Sequence, residues 1–273
     1  ILPATVLLER LSRRLELLSH GPADLPERQR SLRSEIAWSH DLLDDGEQRL
    51  FRRLAVFPGS FGLEAAEAVA SMPRTMDHVA SLADKNLLRR QHEGSAPRLR
   101  MLETIREFAA ERLDTSGEAG EVRSRFAAWA LRTAEEASGH LLGPEQDEWF
   151  GRLETEDDNL SRALSLMIDR RQAADGMRLA AALGWFWFRR GRFTTGAQWL
   201  EKTLGLGDEP VAGAVRAKVH CHLGWMRLML GGTFAGNTDA GESFRAGLAL
   251  AEEAGDRRLQ AVCQGWLAWC EAD

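Results

Sequence analysis

The chain has 273 residues, 44% apolar and 28% charged, with 35 basic against 41 acidic side chains and a net charge of −6. That balance leaves no basic surplus for a nucleic-acid-coating protein, and the length exceeds one typical domain. No apolar run reaches the roughly 20 residues that cross a bilayer. The opening "ILPATVLLERLSRRL" soon turns amphipathic and charged, unlike a secretion signal. Three cysteines, Cys221, Cys263 and Cys270, form an odd, sparse set that fits a reducing cytoplasm. The first residue is Ile rather than Met, which suggests a piece of a longer protein.

In chain order, residues 5–18 place Leu8, Leu11, Leu15 and Leu18 on one helical face, and Gly21-Pro22 and Pro26 then break it. A second helix is expected from about Arg28 to Leu43, with Leu32, Ile36 and Leu43 apolar. Asp45 to Gln48 has capping-box spacing and opens a third helix carrying Leu50, Phe51 and Leu54. After the turn Pro58-Gly59-Ser60-Phe61-Gly62, two short helices are expected near 63–71 and 75–85. Leu87 to Arg90 and Arg98 to Met101, around a polar "QHEGSAP", read as a two-strand hairpin. In it Leu99 and Met101 face inward, and Arg98 and Arg100 face water. Leu102, Ile105, Ala109 and Leu113 continue as a helical stripe. Several helices, a hairpin and a closing helix are the order of a winged-helix domain, over 27–114.

Beyond Gly117 the pattern is helical, with breaks at Gly139–Pro144, Gly191, Asp208–Pro210, Gly231–Gly236 and Gly255. Gly184-Trp185, Gly224-Trp225 and Gly265-Trp266 recur at intervals of 40 and 41, the signature of repeated helical hairpins. Fold class is therefore mainly α: a winged-helix domain with a small β-hairpin, then an α-helical solenoid of tetratricopeptide-like hairpins. Residues 115–172 read as a helical arm and 173–273 as the repeats, ending inside a third unit.

The stretches "LPERQRSLRSEIAWSHDLL", "LFRRLAVFPGSFGLEAAEAV", "SLADKNLLRR" and "RLRMLETIREFAAERL" closely resemble the winged-helix part of actinobacterial signal-transducing ATPases of the STAND class, often called AfsR-like or LuxR-like transcriptional regulators. "LETEDDNLSRAL" (153–164) resembles the segment that follows in those proteins. The resemblance implies a layout of nucleotide-binding core, helical domain, winged helix and repeat sensor. Residues 1–26 would then be the tail of the helical domain. No G-x-x-x-x-G-K-[ST] phosphate loop occurs in this chain. ATP or ADP is accordingly expected on an upstream domain, with no cofactor and no enzyme activity in this portion. In related nucleotide switches the strand-to-helix junction carries Met-His-Asp, whose histidine contacts ADP. The matching positions here are Met101, Leu102 and Glu103. Leu102 offers no N–H to a phosphate, so another group would have to sense ADP, with Arg100 and His40 as candidates. The alternative reading is that Met101 and Leu102 are ordinary core residues.

Three further groups of residues stand out. Arg89, Arg90, Arg98 and Arg100 could touch phosphates from the wing, but helix 75–85 has one cation, Lys85, against Asp77 and Asp84. Residues 27–112 hold 14 basic and 14 acidic side chains, which argues for an intramolecular switch over DNA reading. Trp185, Phe188, Trp225, Met229 and Trp266 form either a ladder along a concave groove, for a small ligand or a partner protein, or packing between units. His220-Cys221-His222 cannot all face one metal ion from a helix and is read as a buried thiol between surface histidines. No G-x-S-x-G, H-E-x-x-H or paired-cysteine motif is present. The expectation is the regulatory and sensor portion of a cytoplasmic ATPase-type transcriptional regulator, with any DNA bound through another domain. A stand-alone interaction scaffold and a DNA-binding winged-helix module are the alternatives.

Overall fold

A computed structural model of the chain describes residues 32–93, 96–207, 211–231 and 236–271. The helix expected over 5–18 lies outside them. Contacts divide the chain into two units, between Phe126 and Ala127.

The first unit opens with α1 (Leu32–Asp41) and α2 (Asp45–Leu54). The capping box at α2 uses Asp44 and Glu47, one residue earlier than expected: the Glu47 amide donates to Asp44 Oδ1 at 2.8 Å, and the Asp44 amide to Glu47 Oε2 at 2.9 Å. Two of the orphan amides of the helix start are thereby satisfied. Leu50, Phe51 and Leu54, spaced i, i+1 and i+4, are fully buried and form the centre of the core. Helices α3 (Leu63–Ala70) and α4 (Thr75–Asp84) follow.

The hairpin is β1 (Arg89–Glu93) against β2 (Ala96–Arg100), antiparallel, with Arg89 opposite Arg100 and Arg90 opposite Leu99. Phe61 adds a third, one-residue rung by exchanging both backbone hydrogen bonds with Leu99, at 2.8 and 2.9 Å. This rung anchors the wing to the turn before α3. Leu99 and Met101 are buried as the alternation requires. The closing helix α5 (Glu103–Thr115) buries Ile105, Phe108, Ala109 and Leu113.

The start of α6 (Ala119–His140) belongs to this unit. Glu118, just before it, accepts from Arg52 Nε at 2.5 Å and from Arg53 Nη2 at 2.6 Å, while the Phe126 ring meets Phe57 edge-on at 5.2 Å.

In the second unit α7 (Gln146–Thr155) and α8 (Asp157–Asp169) lead into α9 (Ala173–Arg189) and α10 (Phe193–Leu204), α11 (Gly213–Leu230) and α12 (Thr238–Glu253), and α13 (Arg257–Glu271). Gly191, in the turn from α9 to α10, has φ +66°, and Gly255, in the turn from α12 to α13, has φ +70°; these left-handed positions suit glycine. The turn between α11 and α12 is longer than that between α9 and α10, as the glycine run 231–236 predicts. The "LETEDDNLSRAL" segment holds the α9–α10 turn: Arg190 pairs with Glu154 at 2.8 Å and Arg192 with Asp157 at 2.5 Å. The molecule is therefore mainly α-helical, with a small hairpin in the first unit and successive helical hairpins in the second.

Candidate functional site

Helix α4 is the element that would read DNA in a winged helix. Its buried side carries Val79 and Leu82, and its exposed face presents Met76, Asp77, Ala80 and Asp84. The one cation at its C-terminal end, Lys85, is engaged by a carboxylate, although its side chain stays 40% exposed. Its ammonium lies 2.5 Å from Glu47 Oε1, and the Ser81 hydroxyl donates to the same oxygen. Burial acts to raise the Glu47 carboxyl, but the bonds from Lys85, Ser81 and the Asp44 amide outweigh it and hold the pKa at about 2. Sequence reading had missed Glu47; its place three residues after Asp44 was the available signal.

On the wing, Arg89, Arg90 and Arg100 are exposed, and Arg90 has a loose pairing with Asp84 at 3.7 Å. Arg98 departs from the expectation that it faces water. It is half-buried, and its guanidinium donates to Ser60 Oγ at 2.8 Å and to the Ser60 carbonyl at 2.7 Å. The Phe61–Leu99 rung brings Ser60 beside it, so Arg98 braces the wing root. Three wing arginines remain as surface cations.

At the junction into α5 the three residues separate. Met101 is buried in the core. Leu102 is the N-cap of α5 and is 37% exposed, so it is not a core residue. Glu103 pairs with Arg106 at 2.6 Å across one helical turn. His40 is a core ring 5.6 Å from Phe51 and 5.7 Å from Phe108, which does not suit it to contacting a nucleotide. Arg100 stays exposed beside this junction.

In the second unit the four aromatics of "WFWFRR" divide. Phe186 and Trp187 are buried, while Trp185 and Phe188 are half-exposed. Trp185, Phe188 and Trp225 form one ring cluster, with centroids 5.4 to 5.6 Å apart. Trp225, Met229 and Trp266 pack against the core formed by Cys221, Leu228, Ala240, Phe244, Cys263 and Cys270, and Trp266 lies 6.4 Å from the Phe244 ring. The five residues are thus part wall and part open face.

The repeated glycines explain the close helix approach. A methyl group at Gly184 would sit 1.7 Å from His222 Nδ1, and one at Gly224 would sit 2.7 Å from the Phe244 ring; at Gly265 nothing lies within 4 Å. His222 is therefore buried against α9, contrary to its reading as a surface residue, and burial pushes its pKa down to about 3. His220 is half-buried and shifted the same way, first by burial. Cys221 is buried, and its thiol is pushed up by its hydrogen bond with Cys263 and then by burial. Among the described residues no group of three or more His, Cys, Asp or Glu is placed to hold a metal ion, and no helix is long and apolar enough to cross a membrane.

Residues 43–114 match the family model of a winged helix-turn-helix domain. Proteins of Mycobacterium tuberculosis and Mycobacterium bovis, provisionally named HTH-type transcriptional regulators, are each 34% identical over 250 residues. The match takes in 88% of this chain and 28% of either relative, so the chain spans a little over a quarter of their length. No solved structure matches the chain.

Proposed function

We propose that the chain is the regulatory portion of a transcriptional regulator of the signal-transducing ATPase class, with the winged helix as an intramolecular switch and tetratricopeptide-like repeats as its sensor. The observation that carries this reading is the charge balance of α4: Glu47 engages Lys85, Arg74 pairs with Asp77 at 3.0 Å and Arg90 loosely with Asp84, so the exposed face carries no net positive charge. Such a face offers a phosphate backbone no net attraction and suits contact with protein. The relatives' names and their greater length are in keeping with a regulator whose other parts lie outside the matched region. In this reading ATP or ADP sits on an upstream domain, and this portion hydrolyses nothing. The repeats and winged helix favour a closed form of that domain; a signal bound by the repeats favours an open one. DNA is then contacted by another part of the cytoplasmic protein.

An electrophoretic mobility shift with the chain tests this at about 150 mM salt, where weak phosphate attraction is screened. The expected result is no retardation of either random or promoter duplexes. Sequence-specific retardation that is lost in Arg89→Ala/Arg100→Ala would overturn it. That outcome would establish the second reading, a DNA-binding module, which the three exposed wing arginines and the helix-turn-helix match favour.

A further inference from the structure

Helix α13 has two unlike faces. Cys263 and Cys270 are buried in the core with Phe244, and Leu259 and Leu267 pack against that core. On the other side Ala261, Val262, Gly265, Trp266 and Trp269 line an apolar groove of about 490 Å³. Trp269 is 64% exposed, and a methyl group at Gly265 would meet nothing within 4 Å. An exposed indole beside an apolar groove marks a surface that takes a partner.

The order of residues along this face says which partner fits. Arg258, Ala261, Gly265 and Trp269 are spaced by three and four residues and so share one side of the helix. Gly265 is the centre of the pattern: Ala261 stands four residues before it and Trp269 four residues after it. Two cations, Arg257 and Arg258, open the helix at the positive end of its dipole, where they are least at ease, and Glu271 closes it. Glu271 pairs with Arg245 at 3.0 Å yet keeps half of its side chain exposed.

Such a face is complementary to itself when two copies lie antiparallel. About a two-fold axis through Gly265, each Trp269 ring falls on Ala261 of the other copy, large on small. The two glycines, lacking side chains, let the backbones approach at the centre. Arg257 and Arg258 of each copy reach Glu271 of the other. A parallel pairing would instead set Trp269 on Trp269 and Arg258 on Arg258. We infer that the open face of α13 docks a second copy of this chain, as an antiparallel, isologous helix pair centred on Gly265.

Sedimentation equilibrium of the whole chain over roughly a hundredfold range of concentration tests the pairing. The contact is one helix wide, so a reversible dimer in the micromolar range is expected. Trp269→Ala and Gly265→Leu should each weaken it by about tenfold or more. Both positions are open in the single chain, and far-UV circular dichroism verifies that both variants fold. Direction is tested by mixing Ala261→Cys chains with Trp269→Cys chains and oxidising with copper–phenanthroline. The mixture should cross-link into a dimer. Ala261→Cys alone should not, because its two thiols would lie about 12 Å apart along the helix axis. A chain that stays monomeric throughout, with this face either bare or covered by another of its own segments, overturns the inference. So does a dimer that neither substitution weakens, or a mixture that cross-links no better than Ala261→Cys alone.

Discussion

Glu47 shows how one buried carboxylate can organise a small domain. It closes the capping box of α2 and draws Ser81 and Lys85 from the end of α4, so two helices are tied through a single side chain. Because its pKa is held at about 2, below the ordinary 4.5, it stabilises the folded state fully above about pH 4.5. That contribution is lost as pH falls from there toward 2. The shift corresponds to about 3 kcal/mol as an upper value. Glu47→Gln keeps the capping geometry and removes the charge, and is expected to cost the first unit about 2 kcal/mol at pH 7. Urea unfolding followed by far-UV circular dichroism should show that loss, together with a flatter pH dependence between 4.5 and 2. An unchanged midpoint at pH 7 would mean that Lys85 is solvated rather than paired. The pair was hard to see in the sequence because its members are 38 residues apart. The engaged Arg98 was equally hidden, since its partner Ser60 reaches it through the Phe61–Leu99 rung and not through strand alternation.

At the scale of elements, the legible features were those with a local physical signal. Helical stripes, the strand alternation at Leu99 and Met101, and glycine punctuation gave the hairpin and the helices to within a few residues. The capping box was displaced by one position because Asp44 and Asp45 both offer a carboxylate and Glu47 and Gln48 are both able to return the bond. The Gly-Trp repeat was visible as a period, but what each glycine meets was not. Gly184 and Gly224 lie against the rings of His222 and Phe244, whereas Gly265 faces open space. Alanine at these three equivalent positions should therefore give different results. Gly184→Ala is expected to cost at least about 2 kcal/mol and Gly224→Ala about 1–3 kcal/mol, through overpacking. Gly265→Ala should gain up to about 1 kcal/mol from helix propensity. In a His222→Ala background, Gly184→Ala should cost much less, since the opposing ring is gone. Thermal unfolding of the three glycine variants, His222→Ala and the Gly184→Ala/His222→Ala double variant checks the series. Equal losses at all three glycines would mean that backbone effects, rather than packing, set their identity.

For the whole molecule, the two units carry their pH-sensitive groups in different ranges. The first unit depends on Glu47, which matters below about pH 4.5. The second depends on His222, neutral when folded with a pKa of about 3 and ordinary, near 6.5, when unfolded. Protons therefore favour the unfolded second unit as soon as pH falls below 6.5, and the loss continues down to about 3. At pH 5 it amounts to about 2 kcal/mol relative to pH 8. His220, shifted in the same direction by burial and then by Arg216 and Arg227, adds to the effect. Of the nine tryptophans all except Trp38 fall after Ala127, so intrinsic fluorescence reports the second unit while far-UV circular dichroism reports both. Thermal melts at pH 8 are expected to show nearer midpoints by the two probes. At pH 5 the fluorescence transition should move down by several degrees and separate from the later part of the dichroism transition. In His222→Asn, which does not titrate, the fluorescence midpoint should move much less between pH 8 and pH 5. If both probes shift together in the wild type, acid sensitivity is shared by the whole chain, and the buried histidine between α9 and α11 is not its source.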